Sequence, residues 1–79
     1  MYLITFKYDG EFAAEFMHMW QIANVYGFSD CNGATDFKVY RLSPDKDPER
    51  LYIHEENHCI ALFTATGEQV TEYEDWAVH

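Results

Sequence analysis

Residues 49–66, ERLYIHEENHCIALFTAT, decide the architecture. Asp47-Pro48-Glu49 just ahead of them is a good helix start and Gly67 a good stop, so the stretch can be read as one long helix. The apolar positions argue otherwise. Ile60 to Phe63 would coat every side of a helix, while Ile53, Ile60, Thr64 and Thr66 carry β-branched side chains and Asn57 suits a turn. The spacing therefore predicts paired strands over residues 50–54 and 58–65.

The same choice governs a motif. His54-Glu55-Glu56-Asn57-His58 matches H-E-x-x-H, in which two histidines one helical turn apart bind zinc and the glutamate acts as general base. That chemistry needs a helix. On a hairpin Glu55 no longer points at a metal-bound water, no third ligand follows at a zincin spacing, and a small metal-dependent hydrolase using His54-Glu55-His58 ranks behind a binding protein. His54, His58, Cys59 and Cys31 are competent metal ligands, but their spacing matches no established framework, so neither metal nor cofactor is expected.

Working outward, Tyr2, Ile4, Phe6 and Tyr8 alternate with Leu3, Thr5 and Lys7, the mark of a half-buried strand. Asp9 then reads as the cap of a helix running through Tyr26, because Phe12, Phe16, Met19, Ala23 and Tyr26 recur at three- and four-residue steps. Gly27 supplies a stop. A loop over residues 28–35, a strand over 36–42, a charged connection over 43–50, a Thr66-Gly67 turn and a last strand over 69–73 complete the chain. The expected fold is α+β, a single domain with one helix on a four- or five-stranded, mainly antiparallel sheet in the order β-α-β-β-β-β. Phe12, Phe16, Met19 and Ala23 would pack against Ile4 and Phe6. Tyr40, Leu42, Tyr52, Phe63 and Tyr73 would fall on the other side of the sheet, with Trp76 of the tail beside them.

An apolar fraction of 48% with 18% aromatic residues is too rich for intrinsic disorder. The longest apolar runs are far short of a membrane span, and no basic-then-apolar leader opens the chain, so a cytoplasmic protein with reduced Cys31 and Cys59 is expected. Its four glycines are isolated, which leaves no phosphate-cradling loop.

Charge is the strongest functional signal. Fourteen acids against five Lys and Arg leave a net charge of −9, and Lys38, Arg41, Lys46 and Arg50 cluster in the middle. Residues 51–79 carry Glu55, Glu56, Glu68, Glu72, Glu74 and Asp75 with no Lys or Arg. Such a surface repels phosphate backbones, which disfavours direct nucleic-acid binding, and attracts basic protein surfaces. Glu11, Glu15, Glu68, Glu72, Tyr73, Glu74 and Asp75 are the residues expected to meet such a partner, Tyr73 because tyrosine is favoured at interfaces. The oligomeric state is left open.

In size and in the acidity of Asp9, Glu11, Glu15, Glu68, Glu72, Glu74 and Asp75, the chain resembles the small phage-encoded inhibitors of bacterial defence, the anti-CRISPR and anti-restriction proteins. The resemblance implies a non-enzymatic inhibitor in which carboxylates stand in for DNA phosphates and cover a nucleic-acid-binding surface. A general protein-interaction or assembly domain is the alternative.

Overall fold

The computed structural model describes residues 1–32 and 34–75, without the side chains of residues 28–32. The chain forms β1 (Tyr2–Tyr8), β2 (Glu11–Met17), α1 (Met19–Asn32), β3 (Thr35–Ser43), β4 (Lys46–Glu56), β5 (Cys59–Phe63) and β6 (Glu74–Asp75). The strands make one antiparallel sheet in the order β2-β1-β3-β4-β5-β6, with α1 packed on one face. The α+β class is as expected, with six strands in place of four or five.

The hairpin over residues 46–63 forms as its β-branched positions predict. Glu56 pairs with Cys59 and closes a two-residue turn in which Asn57 and His58 adopt φ of 51° and 63°. Two positive φ values in a two-residue loop match the right-handed twist of the flanking strands. β4 begins earlier than expected, at Lys46, after a tight turn at Pro44-Asp45. The connection expected over residues 43–50 is thus mostly strand. Pro48 is tolerated because the register between Arg41↔Glu49 and Ser43↔Lys46 carries an extra residue on β4, a bulge that spares the proline a ladder bond.

The helix expected from Asp9 through Tyr26 is a correction. Residues 11–17 form β2, which pairs with β1 from Tyr8↔Glu11 to Tyr2↔Met17. Asp9 is no helix cap: with Gly10 it makes the hairpin turn, at φ of 54° and 81°, both in the left-handed region that Asp tolerates and Gly favours. Phe12 and Phe16 are consistent with either structure, since a four-residue step returns to the same side of a helix and of a strand. They are 70% and 60% exposed, not core.

The helix starts at Met19 instead. The His18 N–H donates to Gln21 Oε1 at 2.8 Å, while the Gln21 and Ile22 N–H groups donate to the His18 carbonyl. This is the side-chain half of a capping box, with Gln at the third helical position. Gly27 does not stop the helix; α1 runs through it to Asn32, and the loop expected over 28–35 is largely helix.

The core lies between α1 and the sheet. Ile4, Met17, Val39, Leu51, Ile60 and Leu62 from the strands enclose Ile22 and Ala23. Ile4 and Ala23 are buried as expected, Phe6 and Met19 partly so, and Ile22 is the helical anchor that replaces the two phenylalanines. Phe6 stacks on Phe37 at 5.5 Å between centroids, and Tyr26 tilts against Phe37 at 5.8 Å. The expected last strand at residues 69–73 is reduced to a single bridge, Phe63↔Gln69, and β6 follows it. The Thr66-Gly67 turn is present: Gly67 has φ of 89° and donates to the Thr64 carbonyl, while the Thr64 hydroxyl accepts from the Glu68 N–H at 3.1 Å.

Candidate functional site

The cross-strand registers sort the side chains onto two faces. Tyr2, Ile4, Phe6, Val39, Leu51, Ile53, Ile60 and Leu62 lie under α1. Leu3, Thr5, Lys7, Phe12, Phe16, Lys38, Tyr40, Arg50, Tyr52, His54 and Phe63 lie on the other face, which no described element covers.

The predicted acidic contacts divide between the two edges of the sheet. Glu11 and Glu15 sit on β2, at one edge, opposite Tyr8 and Ile4. Glu74 and Asp75 form β6 at the other edge, and the exposed Glu68, Glu72 and Tyr73 lead into it. Five strand spacings separate the groups, roughly 24 Å at about 4.8 Å each. The structure therefore gathers Glu68, Glu72, Tyr73, Glu74 and Asp75 and leaves Glu11 and Glu15 apart from them.

At the β5–β6 edge two acids join, Glu55 and Glu56, that are not among the expected partner contacts. Ile60 pairs with Glu55 on one side and Glu74 on the other, and Cys59 pairs with Glu56 on one side and Asp75 on the other. Four carboxylates thus flank two adjacent residues of β5, Glu55 and Glu74 on the helix side and Glu56 and Asp75 on the open side. Desolvation pushes the Cys59 thiol pKa up, and the charges of Asp75, Glu56 and Glu74 push it further in the same direction. An acidic neighbourhood of this kind was legible only once strand pairing was known, because Glu56 and Asp75 are far apart in the chain.

The H-E-x-x-H segment is split by the hairpin. His54 is on the open face, where Nδ1 lies 2.9 Å from the Tyr73 hydroxyl and the ring packs edge-on against Phe63 and Tyr73. Glu55 turns to the helix face and accepts from the Tyr26 hydroxyl at 3.2 Å. His58 sits in the turn. The metal-dependent alternative thus loses the geometry by which Glu55 could serve a metal held by both histidines. Among the described residues no group of three or more His, Cys, Asp or Glu is arranged to hold a metal ion. The Cys31 side chain and Trp76 lie outside the described residues.

The cations are segregated as well. Lys7, Lys38 and Arg50 share the open face, where Arg50 stands 4.8 Å from the Tyr52 ring centroid and Lys7 is 3.8 Å from Asp36. Arg41 is on the helix side and donates two hydrogen bonds to Glu49, at 2.6 and 2.9 Å. Phe12, Phe16, Tyr52 and Tyr73 are all exposed and lie on this same open face. Sequence reasoning had assigned Tyr52 and Tyr73 here but had buried Phe12 and Phe16.

No protein-family model matches the chain, and no curated protein or solved structure is significantly similar to it. No helix among the described residues is long and apolar enough to cross a membrane.

Proposed function

We propose that this chain is a non-enzymatic binding protein that engages a basic surface of another protein through its β5–β6 edge. The observation that carries the reading is the convergence of Glu55, Glu56, Glu74 and Asp75 around Ile60 and Cys59, in a part of the chain with no Lys or Arg. Exposed Glu68 and Glu72 extend the same edge. A carboxylate row of this kind presents charge much as a phosphate backbone does, which favours a partner whose ordinary ligand is nucleic acid and supports reading the chain as an inhibitor of the anti-CRISPR or anti-restriction kind. Steering by such a surface acts mainly on the association rate and weakens with salt.

A bait comparison tests this. Parent protein and the variant Glu68→Lys/Glu72→Lys/Glu74→Lys are used to capture proteins from bacterial lysate at low and high salt. A partner held by the parent at low salt, released at high salt and not held by the variant is the expected result. Equal capture by both baits would sink the reading. Capture that resists salt and survives the reversal favours the second reading, a general interaction domain, for which the exposed Phe12 and Phe16 are the supporting observation.

A further inference from the structure

We infer that the open sheet face holds a binding pocket for a small planar aromatic ring that carries an anionic group. Tyr52 and Phe63 are cross-strand partners on β4 and β5, yet their side chains turn to different neighbours: the Arg50 guanidinium stands 4.8 Å from the Tyr52 ring centroid, and Phe63 packs edge-on against His54 at 5.7 Å. A cavity of about 310 Å³ is lined by Tyr52, Phe63, Ile53, His54 and Gly67 of the turn after β5. That volume is at the small end of ligand pockets, room for one ring system. Its wall is preformed, because His54 Nδ1 is held 2.9 Å from the Tyr73 hydroxyl, and a fixed wall lowers the ordering cost of binding.

Charge complementarity selects the occupant. In a chain with fourteen acids, Lys7 is paired with Asp36 and Arg41 with Glu49, whereas Lys38 and Arg50 meet no carboxylate of the described residues. Both stand beside Tyr52 on the open face. Arg50 precedes it by two residues on β4, and the Val39↔Leu51 pair sets Lys38 level with it on β3. Arg50 Nε donates to the Leu51 carbonyl at 3.2 Å, which steadies the side chain and leaves the terminal nitrogens as donors. Such a fork, with a second cation beside it, suits a carboxylate or a phosphate. The ring of the ligand thus enters between Tyr52 and Phe63, and its anionic group points toward β3. The reverse orientation would direct it at Glu68, next to Gly67. The same acids limit the size of the ligand, since a nucleic-acid strand would run on past Glu68 or over Glu56 and Asp75 at the β5–β6 edge, where phosphate is repelled. A small anion escapes that repulsion, because charges further away than about 8 Å are largely screened at physiological ionic strength.

The pocket uses none of the acids assigned to the protein partner, so it and the proposed function can fail separately. Amide NMR titrations of the parent use benzoate, phenyl phosphate and adenosine monophosphate as ring-bearing anions, with benzyl alcohol and inorganic phosphate as the ring and the anion alone. At least one ring-bearing anion should saturate, shift the amides of Tyr52, His54, Phe63 and Gly67, and bind at least about tenfold more tightly than either half, a difference of about 1.4 kcal/mol. The tightest of the three identifies the ligand as a carboxylate, an aryl phosphate or a nucleotide. Lys38→Gln, at an exposed position, and Arg50→Gln should each weaken binding, together by at least about tenfold, while Lys46→Gln at the far β3–β4 turn leaves it unchanged. Unshifted amides of core Ile22 and Leu62 show that the variants fold. No saturation by any of the three anions below about 10 mM overturns the inference. So does benzyl alcohol binding as tightly as they do, and so does binding that neither Lys38→Gln nor Arg50→Gln weakens.

Discussion

The β1–β2 and β4–β5 hairpins share one construction, a two-residue turn with both residues at positive φ, yet they occupy opposite positions in the energetics of the fold. β5 is an inner strand whose Ile60, Ala61 and Leu62 are all buried. β2 is an edge strand of alanine, glutamate and phenylalanine in which Met17 alone is buried. The β4–β5 hairpin therefore gives the core a whole inner strand, whereas the β1–β2 hairpin gives it Ile4 and Met17 and leaves the rest of β2 as a border. What the border offers is surface: Phe12 and Phe16 face outward beside Lys7, where a binding face can form without a loss of core packing.

The sharpest way to break this contrast is to truncate both hairpins. Leu62→Ala removes a fully buried side chain and should cost about 2–5 kcal/mol in chemical denaturation, a large fraction of the stability of so small a domain. A cost below about 1 kcal/mol would mean that β5 is not central to the core. Gly10→Ala tests the turn of the border hairpin. Nothing lies within 4 Å of the position an added Cβ would take, so the penalty comes from φ of 81° alone and should be about 1–2 kcal/mol. No measurable change would show that β2 is docked too loosely for its turn to matter.

Phe16→Ala should be milder still, below about 1 kcal/mol for dilute, monomeric protein, since an exposed ring leaves no cavity. A loss near that of Leu62→Ala would return Phe16 to the core. The smallest effect concerns charge. The acids around Cys59 raise its thiol pKa, so Glu56→Gln/Glu74→Gln/Asp75→Asn should lower it and increase the thiolate fraction at mildly alkaline pH. Alkylation at Cys59, followed by peptide mass spectrometry, should become faster. An unchanged rate would leave desolvation as the whole cause.

The two hairpins also differ in how far the chain announces them. Residues 49–66 declare a hairpin because β-branched Ile53 and Ile60 and a continuous apolar run are incompatible with one amphipathic helix. Residues 11–17 declare the opposite of what they form. Ala13, Ala14, Glu11 and Glu15 favour a helix, and the four-residue step from Phe12 to Phe16 does not distinguish the two structures. The Asp9-Gly10 pair was the available signal, a strong marker of a two-residue hairpin turn that also resembles a helix cap. Propensity lost there to pairing with β1, which extends over all of residues 11–17 and bonds the backbone groups on the inner side of that edge strand.

By itself the sequence determined the α+β class, the central hairpin, the Thr66-Gly67 turn and the absence of cations beyond Arg50. These follow from side-chain type and local spacing, which the chain carries in any conformation. Tertiary structure alone decided that α1 begins at Met19, that Glu11 and Glu15 lie across the sheet from Glu74 and Asp75, and that Lys7, Lys38 and Arg50 share a face with Phe12 and Phe16. The reason is register. A side chain's face and neighbours across a sheet depend on which residue of another strand it pairs with, and pairing is set by burial of the whole apolar set at once, not by any segment alone.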